Sequence, residues 1–136
     1  MLRLTTNDLI QAIFFMGLAL LATHELDAMT RHEWRLLPVL SQLSDESGRF
    51  WFVLLHIPVF GLMFWLTGHR NPRIRVTAQR ITSGFLVAHG GIHFALSGHA
   101  LYEFEAPIET VTVYGGAACG LLHLLMAFRE RSQNAA

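Results

Sequence analysis

Lysine is missing from this chain. All ten basic residues are arginine, ten acidic residues balance them, and the formal net charge is zero. With that balance and no nucleic-acid-binding motif, nucleic acid is excluded as an expected partner. Cysteine is almost absent too. Cys119 stands alone, which excludes an internal disulfide and any CxxC metal site, and its apolar surroundings read it as a small packing residue. Charge of either sign is scarce, at 15% of residues against 52% hydrophobic. Such a chain is too apolar for an ordinary soluble domain, and its long, nearly uncharged runs place it in the membrane class. At 136 residues, with no repeat and no low-complexity segment, residues 1–136 are expected to form a single domain.

Four apolar segments predict an all-α fold, a four-transmembrane-helix bundle, with spans at about 8–28, 50–67, 81–102 and 111–128. The first has no A-x-A cleavage site behind it and reads as a retained helix rather than a signal peptide. Pro58 inside the second removes a bond to the Leu54 carbonyl and predicts a local kink. Between the first two spans, Leu36, Leu37, Val39, Leu40 and Leu43 suggest either an amphipathic piece at the interface or an extramembrane helix. Arginine placement sets the expected orientation. Arg3, Arg70, Arg73, Arg75, Arg80, Arg129 and Arg131 fall on one side, against Arg31, Arg35 and Arg49 on the other, so both termini are expected on the cytoplasmic side of an integral membrane protein.

Histidine is what the chain has in excess, with eight residues, most of them inside or at the ends of apolar segments. Ionisable groups at membrane depth are costly and mark functional sites by default. His24 and Asp27 share a helix face at i, i+3, and His89 and His93 share one at i, i+4, a spacing from which two imidazoles can hold one ion. Threading the spans brings His24, Asp27, His56, His89 and His93 to similar depth in the outer half of the bundle, and these five are the candidate metal ligands. His24, Asp27 and Glu25 are the candidate catalytic groups, with Glu25 about 100° from His24 around the helix. His32, Glu33 and His69 read as solvated loop or interface groups. His99, about 120° from His93 and about 80° from His89 around the helix, belongs to a different part of the site or to the interface. His123, near the inner end of its helix, fits the cluster worst but shares a face with Gly116 and Gly120. Those glycines, with Gly90 and Gly91, allow close helix approach.

The His24-x-x-Asp27 element, followed by His89-x-x-x-His93 on a later span, resembles the small integral-membrane proteins of the HXXEE type. The stretch His24–Ala28 (His-Glu-Leu-Asp-Ala) with Glu33–Leu37 (Glu-Trp-Arg-Leu-Leu) is similar to a related uncharacterised group. The resemblance implies a membrane enzyme with a polar intramembrane site and no assigned reaction. Asp27-Ala28 stands where that type has paired glutamates, and no NXXXH element is present, His56 being the nearest stand-in.

Three functions fit these features. The first is a metal-dependent membrane enzyme, using a divalent ion such as zinc or iron on a lipid or other apolar substrate; a metal-free version would use His24 and Asp27 as an acid–base pair. The second is a haem-binding or electron-transfer protein with His56 and either His89 or His93 as axial ligands. The third is a non-catalytic subunit of a membrane complex. Expected partners are the bilayer, an apolar small molecule, and a second copy through glycine-rich helix faces.

Overall fold

A computed structural model describes residues 5–134, with side chains through residue 130; Arg3 and the Arg131 side chain, both part of the charge bias, lie outside the described set. Four helices account for most of it: α1 (Thr6–Ala28), α2 (Asp45–Thr67), α3 (Pro72–Leu96) and α4 (Pro107–Asn134), and no strand occurs among the described residues. Each start has a local cause. Thr5 and Asp8 exchange hydrogen bonds as a capping box on α1. Ser44 caps α2, with Asp45 and Glu46 against the positive end of its dipole. Asn71 caps α3 with Pro72 at its first position. Glu109 accepts from the Ala106 N–H at the start of α4.

These caps shift the expected boundaries. The second helix begins at Asp45 rather than near Phe50, and α3 runs from Pro72 to Leu96 rather than from Ile81 to Tyr102. Pro58 does not interrupt α2. Three helices are long and apolar enough to cross a membrane: α1, α2, and Pro107–Glu130 of α4. The third helix does not qualify, because it carries Arg73, Arg75 and Arg80 in its first turns and buries Gln79, Thr82, Ser83 and His93.

Packing follows the spacing of residues along each helix. Ile10, Phe14, Leu18, Leu21, His24 and Ala28 recur at intervals of three and four on α1, so one stripe is buried and His24 belongs to it. On α3 the buried stripe passes through Ala78, Thr82, Leu86, Gly90 and His93. The α1, α3 and α4 helices pack together, while α2 lies along α3 and the 29–44 segment. Only 11% of the apolar stretch of α2 is buried, against 33% for α1, so α2 is the peripheral helix. Leu86 is the knob at the centre. A Cβ on Gly17 would come within 2.8 Å of it, and a Cβ on Gly120 within 2.9 Å. Outward-facing Phe15, Ile57, Phe64, Trp65, Phe94 and Leu125 leave an apolar exterior suited to lipid.

The 29–44 segment folds as two short 3₁₀ turns, Glu33–Arg35 and Leu40–Gln42, rather than a helix. Trp34 and Leu40 bury against Ala28, Phe52 and Phe104, while Val39 stays exposed. His32 adopts a left-handed conformation (φ 53°) at the reversal that turns the chain back over the end of α1. Trp34 Nε1–H and the Arg35 guanidinium both donate to Asp45, which ties the segment to the start of α2.

Candidate metal centre

His24 from α1, Glu33 from the reversed segment, and His89 and His93 from α3 converge, with one donor atom from each within 4.8 Å of all the others. His89 Nε2 and His93 Nε2 are 3.1 Å apart. Glu33 Oε2 lies 3.3 Å from His24 Nε2, and Glu33 Oε1 lies 3.7 Å from His93 Nε2 and 3.8 Å from His89 Nε2. Two nitrogens on one tetrahedral ion, each about 2.0–2.1 Å from it, sit roughly 3.3 Å apart. The observed separations bracket that value.

Burial makes the arrangement informative. His24 is 1% exposed, yet neither of its ring nitrogens has a hydrogen-bond partner, and Glu33 Oε2 is buried and unpartnered as well. His24 Nε2 and Glu33 Oε2 are near each other but not aligned for a hydrogen bond. Unsatisfied buried polar groups are costly, and two of these, His24 Nε2 and Glu33 Oε2, lie 3.3 Å apart within the cluster. An ion there would take up the lone pairs that the protein leaves free, so the residues fit a metal. Burial works against ionisation of Glu33, but the surrounding imidazoles of His24, His89 and His93 outweigh it and hold the carboxyl well below its ordinary range. Glu33 is therefore held as the carboxylate, the form that can ligate a cation.

Neighbouring groups fix the rings. His93 Nδ1 is 3.2 Å from the Tyr102 hydroxyl, which leaves Nε2 for the centre. Burial, with Tyr114 and Glu109 nearby, pushes the Tyr102 hydroxyl up to about 12, so it remains protonated. Phe104 packs edge-on to His93 and tilted against His24, and Phe85 stacks on His89.

The expected ligands divide in this structure. His24, His89 and His93 come together. Asp27 lies outside the group, 3.7 Å from Arg31 and within reach of the Thr30 hydroxyl, and makes no hydrogen bond to His24. His56 also lies outside. Its Nε2 is 2.9 Å from Glu25 and its Nδ1 faces the Phe52 carbonyl, so both nitrogens are engaged by acceptors. Glu25 thus pairs with His56. Glu33, read from the sequence as solvated, is 8% exposed and central. The usable signal was its place beside Trp34, Leu36 and Leu37, one buried and two partly buried apolar side chains that carry the carboxylate inward. His123 is buried apart from the centre, against Ser83 Oγ at 2.7 Å. His69 and His99 accept from nearby backbone N–H groups, and His32 pairs with Glu103.

Beside the centre, between α2 and the α1–α3 pair, lies an apolar cleft of about 730 Å³. Leu21, Phe60, Met63 and Ile81 line it, the Glu25–His56 pair forms a polar spot in its wall, and Phe85 borders both the cleft and His89.

No curated protein and no solved structure matches the chain. The likeness to the HXXEE type rests on the short motifs alone. A family model does match, over residues 10–130, and on that span the chain belongs to DUF6713, a family of unknown function.

Proposed function

We propose that this chain is a multi-pass membrane enzyme that holds one divalent ion, zinc or iron, on His24, Glu33, His89 and His93 and acts on a lipid or other apolar substrate. The observation that carries the reading is the convergence of four donor atoms, on buried His24, Glu33 and His93 and partly buried His89, with His24 and Glu33 Oε2 left without hydrogen bonds. Three imidazoles and one carboxylate suit zinc, and a similar donor set suits non-haem iron. An ion bound there would supply Lewis acidity and a lowered pKa for a coordinated water. The chain's own groups do the rest. Phe85, Phe104 and Trp34 keep water away, Tyr102 orients His93, and the Glu25–His56 pair is the proton-transfer pair that faces the cleft. With three lipid-compatible helices around the site and no hydrophilic domain among the described residues, an apolar substrate would enter from the bilayer through the cleft.

Haem ligation by His56 with His89 or His93 draws no support from this geometry. The His56 Nε2 is taken by Glu25, and the His24, His89 and His93 rings pack with centroids 4.7–4.9 Å apart. Pairing of two copies would use Gly84 and Gly91, whose Cβ positions meet nothing within 4 Å, because Gly17, Gly90 and Gly120 are filled within the chain.

The test is elemental analysis of protein purified in detergent without added chelator. Near-stoichiometric zinc or iron, lost in Glu33→Ala and His93→Ala, is expected. Full metal content in both variants would remove the assignment.

A further inference from the structure

The cleft has two unlike ends. At one end are Glu25, His56 and Phe85, next to the metal centre; at the other is Arg73, in the first turn of α3. Arg73 is exposed and has neither a hydrogen bond nor an ion pair from its side chain. The stretch from Gly68 to Arg80 contains Arg70, Arg73, Arg75 and Arg80 and no acidic residue. Between the two ends the wall is apolar apart from threonines, two of which, Thr77 and Thr82, lie along α3. Twelve residues of α3 separate Arg73 from Phe85, about 18 Å at helical rise. The volume suits one ligand of small-molecule size.

We infer that the cleft binds one single-chain anionic amphiphile, a fatty-acid-like molecule, with its acid group at Arg73 and its hydrocarbon chain running along α2 and α3 toward Phe85. Charge complementarity selects the anion, since an unpaired guanidinium forms charge-assisted bonds to carboxylate or phosphate. Length and apolarity select the chain. The orientation places the hydrocarbon end, not the acid group, beside His89. This names the substrate class for the function proposed above and rests on that reading for its chemistry; binding in the cleft itself requires no metal.

The experiment uses the full chain in phosphatidylcholine nanodiscs and nitroxide-labelled stearate, read by electron paramagnetic resonance. The expected result is an immobilised signal that saturates at one label per chain. Arg73→Gln should weaken the acid by about tenfold, near 1.4 kcal/mol, and leave the matching labelled alcohol unchanged. Ile81→Trp, at a lipid-facing position on the cleft wall, should abolish immobilisation of both while leaving metal content intact. Loading the protein with cobalt should broaden a label near the methyl end more than one near the carboxylate. A signal that never saturates, or acid and alcohol binding equally and both indifferent to Arg73→Gln, would mean ordinary boundary lipid and overturn the inference. Stronger broadening of the carboxylate-end label would overturn the orientation. Saturable immobilisation without cobalt uptake would sink the metal reading and leave the cleft assignment standing.

Discussion

His24 and Glu33 face each other at 3.3 Å across the end of α1, both buried, without forming a hydrogen bond. The relationship exists because the chain reverses at His32 and Trp34 anchors the returning segment against Phe52 and Phe104. Both residues belong to the group of four whose donor atoms lie within 4.8 Å of one another. Replacing Glu33 by Gln keeps the size and removes the anion. Bound metal is expected to fall by at least about tenfold in affinity, as for loss of a first-rank ligand. Asp27→Asn and His56→Ala should leave it unchanged, because neither residue belongs to the group. Metal titration of the three variants checks this, and retention of wild-type affinity by Glu33→Gln would remove Glu33 from the site.

Metal removal should loosen the end of the bundle covered by the 29–44 segment. The centre joins α1, α3 and the 29–44 segment, so an ion at a concentration a hundredfold above its dissociation constant adds about 2.7 kcal/mol to stability. Chelation is expected to lower the melting temperature, most visibly in the fluorescence of Trp34. Protons compete with metal for imidazole nitrogens, so affinity should fall as pH falls. Glu33, held well below the usual carboxylate range, remains an anionic ligand throughout that titration. A melting temperature unchanged by chelation, with metal shown to be removed, would contradict the prediction.

What could be read from the residues was helix by helix rather than across helices. Long apolar runs located α1, α2 and α4, and i, i+4 spacing put His89 and His93 on one face, because both signals are local to a helix. They failed at Glu33 because a carboxylate in a loop reads as solvated, and its burial depends on Trp34 docking to a helix that starts five residues earlier than hydropathy suggested. Asp27 failed for a related reason. The i, i+3 rule gives a shared face but not a partner, and Arg31, one turn on, competes for the same carboxylate. His56 was placed at a suitable depth, yet α2 sits at the periphery, and there its ring meets Glu25 instead of the centre.

Glycine positions allow a test of packing that is independent of metal. A Cβ on Gly120 would lie 2.6 Å from the Ser83 carbonyl oxygen, which is backbone and cannot turn aside, whereas a Cβ on Gly91 would meet nothing within 4 Å. Gly120→Ala is therefore expected to destabilise by about 1–3 kcal/mol through overpacking between α3 and α4. Gly91→Ala, two residues from both His89 and His93 and on the opposite side of the helix, should be neutral or stabilising by up to about 1 kcal/mol from helix propensity. Thermal unfolding in detergent distinguishes them, and equal effects would mean that the α3–α4 contact is wrong.

Arg31 and Glu109 give an asymmetric pair. Glu109 is 1% exposed, caps α4 through the Ala106 N–H, and meets the Arg31 guanidinium, whereas Arg31 is more than a third exposed and also reaches Asp27. Removing either partner breaks the same contact, but the consequences differ. Glu109→Gln leaves Arg31 free to turn into water or toward Asp27 and retains a capping oxygen, so the expected cost is about 1 kcal/mol. Arg31→Ala strands a buried carboxylate beside no cation, which costs about 3–5 kcal/mol. Chemical denaturation of both variants measures the difference. A larger defect in Glu109→Gln than in Arg31→Ala would show that the contact does not hold the start of α4 to the end of α1.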